Sequence, residues 1–151
     1  MSKRADIYYS KLQKKFTRRI NLKLSRIKYF LKKENIDVNK INGDILQIIG
    51  SDGKNAAISS LVSILLKNRK KVTTYTSPSI TTPLDRISIR NKYISLKNFK
   101  KLGDYLINSK TKLTLFEALT LIYILAIKNL KDIDYHIVEA GAGFSKDSTN
   151  L

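Results

Sequence analysis

Two short apolar runs, DILQIIG from Asp44 to Gly50 and KVTTYT from Lys71 to Thr76, flank a stretch of helical spacing from Lys54 to Lys67. In that stretch Ile58, Leu61, Val62, Leu65 and Leu66 fall three and four residues apart, which places them on one side of a helix. Strand, glycine turn, helix and β-branched strand make a βαβ unit, and a right-handed crossover leaves its two strands parallel. YHIVE, Tyr135 to Glu139, repeats the buried-strand pattern and runs into Gly141-Ala142-Gly143. The expected class is α/β, a P-loop-type parallel sheet with flanking helices.

The remaining segments fit around that sheet. Ala5 to Phe16 and Leu22 to Lys33 have helical periodicity, and Leu24, Ile27, Tyr29, Phe30 and Leu31 form the expected buried stripe of the second helix. Ser77 to Pro83 reads as a loop. Arg86 to Ile89 and Tyr93 to Ser95 flank Asn91-Lys92 as a small β-hairpin. Phe99 to Ile107 reads as a helix. Thr114 and Glu117 have the spacing of a capping box that opens a second apolar helix, ending at Lys128.

Composition excludes several alternatives. The chain has 151 residues, enough for one domain with a core, and no cysteine, so neither disulfides nor thiolate metal sites are possible. No run reaches the ~18–20 apolar residues of a membrane span, and Glu117 and threonines interrupt the best candidate, Leu113 to Ile127. No membrane association is expected, and a cytoplasmic setting is. The first 33 residues hold Asp6 as their one acid and faintly resemble an organelle presequence, but two amphipathic helices explain them better. The formal charge of +17 points to an anionic partner without saying which, because the basic residues are spread along the chain.

Three places carry candidate chemistry. Gly50-Ser51-Asp52-Gly53-Lys54 lies between a strand and a helix, where backbone N–H groups and a lysine can cradle phosphates. The complete phosphate-loop pattern is not met, since Ile48 stands at its first glycine. Ser77 follows the second strand and Glu139 ends the third. Ligands of an open parallel sheet bind beyond such strand ends, so all three should face one crevice. A hydroxyl and a carboxylate there suit Mg²⁺ bridging the phosphates of ATP. His136, inside an apolar strand with no second ligand at metal spacing, reads as a packed or edge-facing residue rather than a catalyst. Tyr8 and Tyr9 read as packing residues.

In series, these segments resemble the folylpolyglutamate synthase/dihydrofolate synthase family of the Mur ligase superfamily. GSDGKNA is similar to the family's G-T-N-G-K-G-S, and TYTSPSITTPLDRI to its Y-T-S-P-H-L…E-R-I. LTLFEALT resembles L-T-x-F-E-x-x-T, VEAGAGFSKDSTN resembles V-L-E-V-G-L-G-G-R-L-D-A-T-N, and INLKLSRIKYFLKK resembles the family's front helix. The resemblance implies a helical segment over 1–43 and part of an ATP-binding central domain over 44–151. It implies that ATP and Mg²⁺ convert the carboxylate of dihydropteroate or a folate to an acyl phosphate, which the amine of L-glutamate attacks. Gly50, Ser51, Gly53, Lys54 and Asn55 would then hold phosphates, and Ser77 and Glu139 the Mg²⁺. Thr114, Phe116 and Asp147 match positions that contact the pterin or pteroate. A sister ligase of peptidoglycan precursors is disfavoured by LTLFE and DSTN.

The pattern is also broken in places. Asp52 replaces asparagine beside the phosphates, where a like charge at ~4 Å and an effective dielectric of ~20 costs about 4 kcal/mol before screening. Asn55 replaces a glycine, Ala56 a serine, Ser79 a histidine, and Phe144 and Ser145 a glycine and an arginine; Asp85 for glutamate is mild. The family continues beyond the segment that matches Thr149-Asn150, with a modified lysine, a histidine and a C-terminal domain. The expectation is therefore a fragment, split or decayed copy, inactive alone, with a separate chain as one source of the missing half. The competing expectation is a non-catalytic basic module that binds a polyanion such as nucleic acid.

Overall fold

A computed structural model describes residues 2–18, 23–141 and 147–150. The elements in order are α1 (Ser2–Lys15), α2 (Ser25–Lys33), β1 (Asp44–Ile48), α3 (Lys54–Lys67), β2 (Val72–Tyr75), β3 (Ile87–Ile89), β4 (Lys92–Tyr93), α4 (Leu96–Asn108), α5 (Leu115–Ile127) and β5 (Tyr135–Glu139). Short 3₁₀ turns occupy Val38–Lys40 and Pro83–Arg86. The sheet order is β1-β5-β2-β3-β4. β5 pairs in parallel with both β1 and β2, and β3 and β4 add an antiparallel hairpin to the β2 edge. The class is the α/β one expected. No helix among the described residues is long and apolar enough to cross a membrane.

Alternation along the strands separates two layers. Thr73, Tyr75, His136 and Val138 share one face through the β2–β5 register, and that face lies under α5. α5 is apolar on all sides and correspondingly buried, from Glu117 through Ile124 and again at Ile127. α4 packs on α5 and α1 on α4, so the front helices and the sheet share a single core. The Leu115 N–H donates to the Thr17 carbonyl at 2.8 Å, pinning the chain after α1 to the start of α5. α3 covers the opposite face.

Four expectations change. β1 is an edge strand, exposed at its first two residues and half-buried after them, because β5 inserts between β1 and β2. On α3 only Ile58 is fully buried; Leu61, Val62, Leu65 and Leu66 are half-buried, since α3 lies across β1, β5 and β2 with no other helix among the described residues packed closely against it. Tyr29 is 63% exposed, because Ile27, Phe30 and Leu31, at helical spacing, define the buried face without it. The hairpin turn also sits one residue early. Arg90 and Asn91 both take positive φ (50° and 61°), as a two-residue type I′ turn requires, and Lys92 begins the strand.

His136 is buried, the packed one of its two expected placements, inside a hydrogen-bonded chain. Its Nε2 lies 2.8 Å from the Asn42 carbonyl, which can only accept, so Nε2 carries the proton. Nδ1 then accepts from Thr73 Oγ1 at 2.6 Å, and Thr73 accepts from the Tyr123 hydroxyl at 2.7 Å. Burial lowers the His136 pKa below its ordinary 6.5, outweighing the Asn42 bond that raises it. The unfolded chain therefore binds this proton first as pH falls. Stability should be flat above about pH 6.5 and decline below it until the folded pKa is passed. Urea midpoints between pH 8 and 5 check this, and His136→Gln should remove that part of the slope.

Candidate functional site

The turn after β1 leads into the N-terminus of α3. Gly53 caps α3 with φ 75°, a left-handed conformation costly to other residues, and among the described residues no side chain caps the helix's first N–H groups. Lys54, the first helical residue, folds back over the turn. Its Nζ donates to the carbonyls of Gly50 at 2.8 Å and Ser51 at 3.2 Å. It also lies 3.7 Å from Glu139 Oε1. Glu139 ends β5 with its side chain 4% exposed, and its Oε2 accepts the Ser77 N–H at 2.7 Å. The turn, the loop after β2 and the end of β5 thus meet in one cluster, as the topology of three parallel strands dictates. Asn55, one residue into α3, lines an adjoining groove of about 300 Å³ with Thr74 and Thr76. Asp52 is exposed to solvent, which screens its charge.

A second cluster lies just beyond Glu139. The Phe116 ring is 6.3 Å from that of Tyr75. Asp147 is buried, and its Oδ1 accepts from the N–H (2.9 Å) and hydroxyl (2.6 Å) of Thr149. Gly141 separates the two: a Cβ there would collide with Asp147 Oδ2 and lie 3.0 Å from the Phe116 ring. Thr114 sits at the α5 N-terminus, where its hydroxyl accepts the Glu117 N–H at 3.2 Å. Phe144 and Ser145 lie outside the described residues.

The capping box was legible, but its reinforcement was not. Glu117 also receives both arms of Arg26, Nε at 3.1 Å and the second nitrogen at 3.0 Å. No local spacing signals a pair formed across 91 positions.

Among the described residues no group of three His, Cys, Asp or Glu side chains converges. A carboxylate and a neighbouring serine are hard oxygen donors, and magnesium is commonly held by one or two carboxylates plus substrate phosphates. The residues fit such an ion when phosphates complete its shell.

The fold and these clusters define a class, an α/β domain with a phosphate-type turn whose lysine faces a carboxylate across the strand ends. No family model matches the chain. It is 30% identical to a dihydrofolate synthase/folylpolyglutamate synthase of Haemophilus influenzae, over 95% of this chain and 32% of that protein. It is 30% identical to the dihydrofolate synthetase of Saccharomyces cerevisiae, over 87% and 31%. A bifunctional folylpolyglutamate synthase/dihydrofolate synthase from Yersinia pestis, solved with AMPPNP and a Mn ion, superposes with a TM-score of 0.82 at 26% identity, over 97% and 35%. The chain is similar to these synthases along nearly its whole length and spans about a third of theirs.

Proposed function

We propose that this chain forms the phosphate-binding part of an ATP-dependent ligase that joins L-glutamate to dihydropteroate or a folate. The observation that carries the reading is the meeting of Lys54, the Ser77 amide and Glu139 at one point. Gly50, Ser51, Gly53, Lys54 and Asn55 hold the phosphates, through backbone N–H groups and one ammonium. Ser77 and Glu139 hold Mg²⁺, which when bound neutralises charge on the phosphates. The substrate carboxylate takes the γ-phosphoryl group to give an acyl phosphate. The glutamate amine then attacks its carbonyl, phosphate leaves, and an amide remains.

This chemistry asks the protein for alignment and charge more than for covalent help. Phe116 offers an aromatic face to a pteridine ring. Asp147 Oδ2 accepts from its N–H groups while Thr149 holds Oδ1 in place. Thr114 fixes the start of α5 below them. In this reading 44–151 is the ATP-binding unit and 1–43 its helical support. The synthases are about three times as long as this chain, so the complete ligation draws on further polypeptide, from the same or a separate chain, and this stretch alone is inactive. A cytoplasmic setting belongs to the same reading.

Titration of MgATP into the chain by calorimetry tests it. Glu139→Ala should weaken MgATP binding about tenfold or more, with a smaller effect on metal-free ATP. Equal heats for MgATP in both proteins would remove the site. The polyanion alternative rests on the +17 charge and on a groove between α1 and α4 flanked by Arg4, Lys11 and Lys100. Lys11 there is already paired with Asp104 at 2.8 Å, which favours the ligase reading.

A further inference from the structure

Lys54 lies against the carboxylate that the reading above gives to a metal ion. Its ammonium lies among three oxygens: the Gly50 carbonyl at 2.8 Å, the Ser51 carbonyl at 3.2 Å and Glu139 Oε1 at 3.7 Å. The Lys54 side chain is 18% exposed, so the ammonium is partly withdrawn from water. Glu139 Oε2 is engaged by the Ser77 N–H, which leaves Oε1 as the oxygen that faces a cation. Two positive charges cannot share that one oxygen cheaply, because a magnesium ion at ~2.0–2.1 Å from it would stand within ~6 Å of the ammonium and repel it. Among the described residues no group of three His, Cys, Asp or Glu side chains offers the ion another place.

From this geometry we propose that Lys54 and the divalent metal ion compete for Glu139 Oε1, so that the protein admits the metal only when nucleotide phosphates draw Lys54 off its carbonyls. The second half of that statement rests on the nucleotide reading above; the first half does not. Lys54 then has two roles in sequence. Before the nucleotide arrives, its ammonium neutralises Glu139 and holds the Gly50-Ser51 turn closed. Afterwards it turns to the phosphates and frees the carboxylate. Metal enters as the nucleotide complex and not ahead of it.

A nucleotide-free titration with Mn²⁺, read by electron paramagnetic resonance of the free ion, tests the competition. The proteins are the unaltered chain, Lys54→Met and the double variant Lys54→Met/Glu139→Gln, with far-UV circular dichroism as the check on folding. Lys54→Met should bind Mn²⁺ at least about tenfold more tightly than the unaltered chain, within the range of ordinary coupling between exclusive sites. The double variant should lose that gain. If the methionine variant does not fold, Lys54→Gln serves in its place with the same expectation. Equal Mn²⁺ affinity in the unaltered chain and the lysine variant would overturn the proposal, as would a gain that survives in the double variant. Failure of MgATP to bind in calorimetry would instead count against the nucleotide reading and leave this result standing.

Discussion

Glu117→Ala is expected to lower stability by about 2–3 kcal/mol, since the carboxylate is buried while the Arg26 guanidinium it leaves behind keeps some contact with water. Glu117 accepts from Arg26 through both oxygens, and Oε2 also accepts the Thr114 N–H at 2.7 Å. Its side chain is nearly inaccessible, so no water replaces the carboxylate when it is removed. Alanine would leave a guanidinium against α5 and an unsatisfied N–H at the start of the most buried helix. Glu117→Gln keeps an acceptor for Thr114 but loses the charge, and should fall between the two. Urea unfolding reads all three. A loss below about 1 kcal/mol for alanine, typical of an exposed pair, would mean that Arg26 and Glu117 are not coupled as described.

Lys54→Ala is expected to weaken MgATP binding by about thirtyfold, the worth of roughly 2 kcal/mol for a charge-assisted hydrogen bond. Two effects oppose each other. Losing the ammonium removes a phosphate contact, while freeing Glu139 eases entry of the metal. The phosphate contact should win, because phosphate carries several charges into a turn that already holds Asp52 and would lose its only lysine. Metal-free ATP, which gains nothing from an unblocked carboxylate, should lose more affinity than MgATP. Calorimetry with and without Mg²⁺ separates the two contributions. An unchanged affinity for metal-free ATP would mean that the turn holds no phosphate.

The sequence made the order of elements legible wherever periodicity was strong. α3 and β5 run over the residues that pattern implied, Lys54–Lys67 and Tyr135–Glu139, and the Thr114–Glu117 capping box is formed. What it could not carry was neighbourhood. A βαβ pattern makes β1 and β2 parallel but does not say that β5 lies between them, and that insertion turns β1 into an edge. The same insertion brings Glu139 beside Lys54, so the misjudged strand and the cluster have one cause. Apolar spacing on α3 marks the side facing the sheet without telling how much of it is covered. Tyr29 failed for the opposite reason, as an apolar body placed just off the helical stripe. Long-range polar pairs such as Arg26–Glu117 and Thr73–His136 have no local signature, because either partner alone reads as solvated or packed.

One spectrum bears on all of this most directly: an amide NMR map of the chain before and after addition of AMPPNP with a trace of Mn²⁺. Paramagnetic broadening should be strongest around the turn from Gly50 to Asn55, at Ser77 and at Glu139, and weak along α1 and α4. Broadening centred on the α1–α4 groove, with the Lys54 turn untouched, would contradict a phosphate site at the strand ends.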